Sequence, residues 1–353
     1  MDTEHRTPNS ALRTTDSGLR TFLPRLMRGE DLSRSEAAQL LDALLDPEAS
    51  DAQIASTLIA LRVKGETFEE LAGLTEAMRA RAVHITSRHA CFIDTAGTGS
   101  SRVKTFNVST AAAFVIAGAG LPVAKHGNRA ASSRCGSADV LSALGVNVSA
   151  SPEVSEKCLN EIGICFMFAP LYHGATARVA SVRRELGVQT TFNLLGPLTN
   201  PARAPRQIIG VSSRDSIEPL ASALALLGTE RAWVVHGADG LDEVTIADKT
   251  FVAEARNGEV RKFEIAPEDF GFERVALDSL SSGDAEVNAG VIRAVLAGSR
   301  QDAARALVIV NAAAALRVGG VASDLREATL LAQQSIDSGE AQKKLDELVR
   351  ATN

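Results

Sequence analysis

Residues 94–101 read Asp-Thr-Ala-Gly-Thr-Gly-Ser-Ser, and residues 105–110 read Thr-Phe-Asn-Val-Ser-Thr. The apolar residues 91–93 before this stretch predict a β-strand, and the Ala-rich residues 110–119 predict a helix after it. Two glycines let the backbone fold closely around a ligand, and a helix N-terminus adds positive potential. The stretch therefore favours an α/β fold with a phosphate site at this loop. Taken alone, a plain strand-to-helix turn would explain the glycines about equally well.

The same alternation of short apolar runs and helical stretches continues beyond this loop. Strands are predicted at residues 122–124, 164–168, 207–211 and 232–236, and helices at residues 138–144 and 217–227. Strands separated by helices indicate a mostly parallel sheet that is covered by helices on both faces. Asn257-Gly258, within residues 250–263, predicts an antiparallel hairpin, and the chain from Asp284 onward is predicted to be helical.

The N-terminal part of the chain has a helical pattern. Three hydroxyl residues are each followed three positions later by Glu or Gln: Ser33 and Glu36, Ser50 and Gln53, Thr67 and Glu70. This spacing is typical of the capping box, which satisfies backbone amides at a helix start. The polar residues 1–17 are predicted to form a flexible tail, and a small helical unit follows them.

A second polar loop follows the strand predicted at residues 122–124. Residues 125–129 read Lys-His-Gly-Asn-Arg, and Ser132, Ser133 and the Gly-Ser-Ala-Asp sequence of residues 136–139 come next. Carboxyl ends of parallel strands meet at one sheet edge, where ligands of open α/β folds bind. Lys125 and Arg129 could supply charge for a pyrophosphate, and the Asn and Ser side chains could bind sugar hydroxyls. A solvated basic turn is the alternative.

A third loop, residues 239–243, reads Asp-Gly-Leu-Asp-Glu and follows another predicted strand. Adjacent carboxylates suit hard cations such as Mg²⁺, which usually bind phosphates and water as well. An exposed acidic turn is about equally consistent with this loop alone. If the three loops converge, the metal site is favoured, because carboxylates would repel a phosphate unless a cation bridged them.

A fourth segment runs from Tyr172-His173 through Arg183 to residues 191–201, which read Thr-Phe-Asn-Leu-Leu-Gly-Pro-Leu-Thr-Asn-Pro. Arg183 could hold a carboxylate in bidentate fashion. Pro197 and Pro201 stiffen a loop that could form the wall of an aromatic site. A surface helix and its turn would fit the same residues.

Composition excludes several classes of protein. The 353 residues carry a formal net charge of −6 and only 4% aromatic residues, which argues against nucleic-acid binding. The four cysteines form no CxxC pair, so reduced thiols are expected. Neither an apolar leader nor an apolar run of about 18 residues is seen, so a cytoplasmic protein without membrane contact is expected.

With these four segments in this order, the chain resembles the anthranilate phosphoribosyltransferase family from about residue 20 to 350. The resemblance implies a small all-helical domain plus a large α/β domain with a mostly parallel central sheet covered by helices, an architecture shared with pyrimidine nucleoside phosphorylases. The helical domain would comprise residues 18–88 and about 175–203, with the hinge and the interface of a homodimer. Residues 89–174 and 204–353 would form the α/β domain, which binds phosphoribosyl pyrophosphate.

The resemblance also implies an activity: anthranilate would receive the phosphoribosyl group of phosphoribosyl pyrophosphate, the second step from chorismate to tryptophan, with Mg²⁺ as cofactor. Residues implied to bind phosphoribosyl pyrophosphate are Gly97, Ser100, Ser101, Thr105, Asn107, Val108, Ser109, Thr110, Lys125, His126, Gly127, Asn128, Arg129, Ser133 and Ser137. Those implied for anthranilate are Gly97, His126, Asn128, Arg183 and Pro197. Those implied for Mg²⁺ are Ser109, Asp242 and Glu243.

Catalysis is assigned to Lys125, to the backbone around Asn107 and to Arg183. No side chain suggests a dedicated nucleophile, so direct displacement of pyrophosphate is expected. One departure stands out: the family's loop commonly reads Gly-Thr-Gly-Gly-Asp, whereas this chain has Ser100 and Ser101 at the last two positions.

Two alternatives stay open at this point. A pyrimidine nucleoside phosphorylase would carry a Lys-His-Ser-Thr-Gly phosphate loop, which this sequence lacks. A non-catalytic relative that binds nucleic acid would fit the altered Ser100-Ser101 pair, but the net charge of −6 opposes it.

Overall fold

The computed structural model describes residues 18–99, 103, 105–130, 134–277, 280 and 282–353. The tail predicted at residues 1–17 lies outside the described residues, as do the predicted site residues Ser100, Ser101 and Ser133.

The described chain begins with four helices: α1 Leu19–Met27, α2 Arg34–Leu44, α3 Asp51–Lys64 and α4 Phe68–Arg81. The capping boxes predicted at Ser33, Ser50 and Thr67 are all formed. The sequence interpretation did not identify α1, although Leu19, Phe22 and Leu26 are buried at helical spacing on one face.

Seven strands of the described chain form one sheet: β1 Ile93–Gly97, β2 Val123–Gly127, β3 Ile164–Phe168, β4 Arg206–Gly210, β5 Arg231–Gly237, β6 Thr250–Arg256 and β7 Glu259–Ile265. Their order is β3-β2-β1-β4-β5-β6-β7. The first five strands are parallel, whereas β6 pairs antiparallel with β5 and β7 pairs antiparallel with β6. The mostly parallel sheet predicted from the sequence is therefore confirmed.

The remaining helices are α5 Val108–Gly118, α6 Ser137–Ala143, α7 Pro152–Ile162, α8 Ala169–Tyr172, α9 Ala177–Leu186, α10 Phe192–Leu198, α11 Ile217–Leu226, α12 Ala285–Leu296, α13 Ala303–Gly319, α14 Leu325–Asp337 and α15 Glu340–Thr352. Successive residues of the central strands enter two different buried clusters. On β5, Trp233 packs into the cluster that contains α5 and α13, and Val234 packs into the cluster that contains α2, α3 and α11. Both faces of the sheet are therefore covered, and the fold class predicted from the sequence is confirmed.

One strand boundary at the carboxyl edge of the sheet differs from the prediction. Residues 125–129 were predicted as a loop, but β2 continues to Gly127, with Lys125 paired to Phe166 and His126 to Met167. Polar side chains suggested a loop, and the tertiary pairing with β3 overrides that local preference. Lys125 and His126 are therefore held on a strand, which fixes their directions more firmly than a loop would.

Among the helices that the structure describes, none has both the length and the apolar character that a bilayer crossing requires.

Candidate active site

A cavity of about 490 Å³ opens at the carboxyl edge of the parallel strands. All described residues that the resemblance implied for ligand or metal binding line it: Gly97, Thr105, Asn107, Val108, Ser109, Thr110, Lys125, His126, Gly127, Asn128, Arg129, Ser137, Arg183, Pro197, Asp242 and Glu243. Parallel strands end at one edge, so loops far apart in the sequence meet there. The convergence on which the sequence argument depended is thus present in the fold.

The N-terminus of α5 faces this cavity, and its own N-cap residue does not cap it. Asn107 occupies the N-cap position, yet its side chain accepts no hydrogen bond from the helix, and the first turn holds no acidic residue. The Ser109 backbone N–H instead donates to Oε1 of Glu243 over 3.3 Å. Amides at a helix start carry partial positive charge, so this end of α5 suits a phosphate.

The Lys125 side chain lies beneath the same helix start and is only 4% exposed. Its Nζ donates to the carbonyl oxygen of Thr95 and lies 3.5 Å from Oγ of Ser109. Burial lowers the pKa of Lys125, while the nearby carboxylates of Asp94 and Glu243 act to raise it. An anionic ligand in the cavity would favour the charged ammonium further.

Asp94 lies close to Lys125. The sequence analysis did not identify it as a site residue. Its Oδ1 accepts the backbone N–H of His126 over 3.1 Å, and its Oδ2 accepts Nδ2 of Asn200 over 2.7 Å. Burial raises the pKa of Asp94 to about 6, against the lowering effect of Lys125. Asp94 therefore joins β1, β2 and the turn at Asn200 into one frame.

The acidic loop reaches the cavity from the end of β5. A Cβ on Gly210 would overlap the carbonyl oxygen of Asp242, so only glycine allows this close approach. Asn311 of α13 fixes the other side of the loop, because its Oδ1 accepts the Val244 N–H and its Nδ2 donates to the Val244 carbonyl, both over 2.9 Å. Burial and then the neighbouring Asp242 raise the pKa of Glu243.

These two carboxylates suit a divalent cation that keeps other ligands. Within the described residues, no group of three or more His, Cys, Asp or Glu side chains could hold a metal by itself. A cation at Asp242 and Glu243 would thus take further oxygen ligands from a bound phosphate and from water, which is the usual manner of Mg²⁺.

Two buried histidines form part of the opposite wall. The rings of His126 and His173 meet edge to face, with centroids 5.2 Å apart. Burial lowers the pKa of His126 to about 3 and that of His173 to about 4, so both are neutral at physiological pH. Nε2 of each ring has no hydrogen-bond partner among the described residues. His173 was not predicted as a site residue, although its position just beyond β3 and α8 was a usable signal.

Arg183 of α9 completes this wall. Its Nη2 donates to Oδ1 of Asn193 over 3.2 Å, and its guanidinium lies 5.4 Å from the Phe192 ring centroid. Its Nε is buried and has no hydrogen-bond partner in the described part of the chain, and burial lowers the pKa of the side chain. A carboxylate would satisfy this donor and the buried charge together.

The low pKa of His173 predicts a pH dependence of stability. The neutral ring contributes stability that is complete above the ordinary pKa of 6.5 and is lost as the pH falls towards 4. Between pH 8 and pH 5, this residue alone should lower the free energy of unfolding by about 2 kcal/mol. Urea unfolding of the wild type and His173→Gln at both pH values measures the effect.

The quantity to compare is the difference between the two proteins at each pH. Asp94 has a raised pKa and changes stability in the opposite direction, but it is present in both proteins and cancels. On acidification from pH 8 to pH 5, the free energy of unfolding of the wild type should fall by about 2 kcal/mol more than that of His173→Gln. A difference that stays constant from pH 8 to pH 5 would contradict the buried neutral ring.

The chain matches the helical bundle domain of the glycosyl transferase family at residues 20–82 and the a/b domain of that family at residues 89–342. The anthranilate phosphoribosyltransferase of Moorella thermoacetica is 50% identical over 331 residues, which cover 94% of this chain and 97% of that protein. The enzyme of the same name from Anaeromyxobacter dehalogenans is 52% identical over 330 residues, which cover 94% of this chain and 97% of that protein.

Solved structures give the same result. The crystal structure of anthranilate phosphoribosyltransferase from Thermus thermophilus superposes with a TM-score of 0.87 at 39% identity, covering 94% of this chain and 98% of that chain. The Saccharomyces cerevisiae enzyme in complex with PRPP and Mg also has a TM-score of 0.87, at 27% identity. The match covers 96% of this chain and 98% of that chain.

Proposed function

The chain belongs to the anthranilate phosphoribosyltransferase family, and on that premise we propose the reaction that its cavity performs. The protein is a pentosyltransferase of tryptophan biosynthesis that joins anthranilate to phosphoribosyl pyrophosphate with Mg²⁺ as cofactor, giving N-(5-phosphoribosyl)anthranilate and pyrophosphate. One observation supports this assignment most strongly: the start of α5, Lys125 and the pair Asp242-Glu243 line a single cavity that Arg183 borders.

The phosphoribosyl pyrophosphate subsite of the proposal surrounds the start of α5. Its assigned residues are Gly97, Ser100, Ser101, Thr105, Asn107, Val108, Ser109, Thr110, Lys125, His126, Gly127, Asn128, Arg129, Ser133 and Ser137. The N-terminus of α5, whose first turn holds no acidic residue, and the buried Lys125 support the placement of the diphosphate beside them. Arg129 is already paired with Asp139 over 2.7 Å, so we assign it to holding the loop and to the outer part of this subsite.

Ser109, Asp242 and Glu243 would hold Mg²⁺. When bound, the cation neutralises charge on the diphosphate and so makes it a better leaving group. The rigid placement of Glu243 supports this role, since Gly210 and Asn311 fix the acidic loop on two sides.

Gly97, His126, Asn128, Arg183 and Pro197 form the anthranilate subsite of the proposal. Arg183 would bind the carboxylate, and the neutral ring of His126 would face the aromatic ring or its amine. Gln207 donates to the Pro197 carbonyl over 3.0 Å, which keeps that wall in place.

In the proposed reaction the protein positions the two substrates and does not supply a nucleophile. As the bond between the anomeric carbon and pyrophosphate breaks, the amine nitrogen of anthranilate bonds to that carbon, and one of its two protons leaves with the released pyrophosphate. Negative charge grows on the departing diphosphate, and the Lys125 ammonium and the α5 amides would stabilise it. Arg183 would hold the amine in line for the attack, which removes much of the entropic barrier.

The domain division and the assembly are part of the same proposal. Residues 18–88 and about 175–203 would form the helical domain, and residues 89–174 and 204–353 the α/β domain. Arg178 of α9 pairs with Asp51 of α3 over 2.9 Å, which supports the inclusion of α9. A homodimer would form through the helical domain, as the resemblance to the family implies. The four cysteines, all among the described residues, are thiols, and a cytoplasmic location accords with them.

Arg183→Ala should raise the apparent KM for anthranilate at least ~10-fold, because a charge-assisted contact to its carboxylate is lost. The KM for phosphoribosyl pyrophosphate should change little. Arg178→Ala is the matched control, since Arg178 lies on the same helix but pairs with Asp51 outside the cavity. Steady-state kinetics with each substrate varied in turn separate the two constants. An unchanged KM for anthranilate would remove Arg183 from that subsite.

The proposed activity is tested by the fluorescence of anthranilate mixed with the protein, phosphoribosyl pyrophosphate and Mg²⁺. The signal should fall only when all four are present, and chelation of the metal should stop the loss. A folded protein that leaves the fluorescence unchanged but retards DNA would support the nucleic-acid-binding alternative.

A further inference from the structure

A neutral amide side chain holds the guanidinium of Arg183. Nη2 of Arg183 donates to Oδ1 of Asn193 over 3.2 Å, and the same oxygen accepts the backbone N–H of Thr190 over 3.0 Å. A backbone N–H can only donate, so the contact with Thr190 fixes which end of the Asn193 amide is the oxygen. The Phe192 ring lies beside the same guanidinium. Arg183 is therefore held by an uncharged oxygen and an aromatic ring.

The turn that carries Asn193 is anchored to the helices at the start of the chain. Thr191 is fully buried, and its Oγ1 donates to Oε1 of Glu66 over 2.6 Å. Glu66 lies between α3 and α4, and its side chain is 4% exposed. The backbone N–H of Asn193 donates to the Thr190 carbonyl over 2.9 Å, which closes the turn. The position of the Asn193 oxygen is thus fixed by the protein itself.

The partner of Arg183 differs from those of other buried arginines. Arg231 and Arg305, whose side chains are 6% and 8% exposed, pair with Glu254 and Asp337 over 2.6 and 2.7 Å. Among the residues that the structure describes, no Asp or Glu forms an ion pair with Arg183, and burial is what lowers the pKa of its side chain. A charge removed from water without an ionic partner is costly. Arg183 is therefore a cation suited to a negatively charged ligand.

The neutral partner also leaves most donors of the guanidinium available. An arginine carries five N–H donors, and Asn193 accepts from one of them. Nε is buried and has no hydrogen-bond partner in the described chain. A carboxylate takes two parallel N–H donors of an arginine and neutralises its charge, whereas an amide oxygen does not. The amide of Asn193 thus fixes Arg183 without competing for a ligand's carboxylate.

We propose that Asn193 is a positioning residue for the aromatic substrate: its neutral oxygen holds Arg183 in place and leaves the positive charge of Arg183 to the carboxylate of anthranilate. Asn193 acts through Arg183. The inference rests on the proposed function, because it assigns a cause to the availability of the cation in the proposed anthranilate subsite.

The first variant that tests the inference is Asn193→Asp, which keeps the shape of the side chain and adds a charge. A carboxylate can still accept the Thr190 N–H, and a negative charge in the first turn of α10 suits the helix dipole, so the fold should be kept. The new carboxylate should pair with Arg183, so the KM for anthranilate should rise at least ~10-fold, as for Arg183→Ala. The KM for phosphoribosyl pyrophosphate should stay within about twofold.

The second variant is Asn193→Ala, which removes the oxygen and adds no charge. The KM for anthranilate should rise roughly threefold, the size of one hydrogen bond, and so less than in Asn193→Asp. A residue that only stabilised the turn would give the opposite order, because Asn193→Asp keeps the bond to Thr190 and Asn193→Ala loses it. The order of the two KM values therefore separates positioning from a purely structural role.

A double-mutant cycle shows whether Asn193 acts through Arg183. In an Arg183→Ala background no guanidinium is left to hold, so adding Asn193→Ala should change the KM for anthranilate by less than about 1.5-fold. An equal rise in both backgrounds would overturn the inference, because Asn193 would then contact the substrate directly or only support packing. The cycle stands on its own if Asn193→Asp fails to fold.

A KM for anthranilate in folded Asn193→Asp that is no higher than in Asn193→Ala would also overturn the inference. If the wild type consumes no anthranilate, or if Arg183→Ala alone leaves the KM for anthranilate unchanged, the proposed function or its Arg183 contact fails, and the inference fails with it.

The matched control is Asn147→Asp. The side-chain oxygen of Asn147 also accepts a backbone N–H in a turn, that of Ser149 over 3.1 Å, but Asn147 lies outside the cavity. The same exchange of an amide for a carboxylate should leave both KM values at those of the wild type.

Discussion

Lys125→Met should lower kcat/KM for phosphoribosyl pyrophosphate by at least ~100-fold, the usual effect of removing a preorganised charge from the site of charge development. The methionine keeps the length of the buried side chain and removes only its ammonium. In the wild type that ammonium lies beneath the start of α5, near Ser109 and the carbonyl of Thr95. The loss should therefore appear in both the binding and the turnover of phosphoribosyl pyrophosphate.

Two checks separate this effect from misfolding. Near-ultraviolet circular dichroism should show that Lys125→Met keeps its tertiary structure. Lys344→Met serves as the control, because Lys344 also donates to a carbonyl, that of Ile162, but outside the cavity. Near-normal kinetics in a folded Lys125→Met protein would refute the assigned role of Lys125.

Glu243→Gln should raise the Mg²⁺ concentration needed for half-maximal rate at least ~10-fold, because a neutral amide is a much weaker ligand for a hard cation. The glutamine side chain has nearly the shape of the glutamate that it replaces. The acidic loop should therefore keep its position between Gly210 and Asn311. Rates measured over a series of Mg²⁺ concentrations at saturating substrates give the half-maximal value.

The control for this variant is Asp248→Asn. Asp248 lies five residues farther along the chain and pairs with Arg274 over 3.0 Å, outside the cavity. Although this variant also exchanges a carboxylate for an amide, the Mg²⁺ dependence of its rate should match that of the wild type. If both variants required the same Mg²⁺ as the wild type, Glu243 would not be a ligand.

Elements specified by neighbouring residues could be predicted from the sequence. A capping box depends on residues three positions apart, and all three predicted boxes are formed. The hairpin at Asn257-Gly258 is equally local, since its turn needs two residues with positive φ, and the observed values are 53° and 81°. The end of β2 could not be predicted, because pairing with β3 rather than local preference extends it to Gly127.

A similar division holds for the candidate site. Residues in glycine-rich, basic or acidic motifs could be found from the sequence, since their chemistry suggests ligands. The buried residues that support them could not: Asn200 meets Asp94 across 106 positions, and Asn311 meets Val244 across 67. In the structure, Asp94 lies on β1 and Asn311 within α13, and only the packed fold shows which segments they hold.

The central claim is that the start of α5, Lys125 and the acidic pair hold one metal-bound diphosphate. Its most direct test is a crystal grown with phosphoribosyl pyrophosphate and Mn²⁺ in place of Mg²⁺, with anomalous diffraction used to locate the metal. We expect a peak within coordination distance of Glu243 or Asp242 and of a diphosphate that also contacts Lys125. A diphosphate bound elsewhere, or a metal peak remote from both carboxylates, would contradict the account.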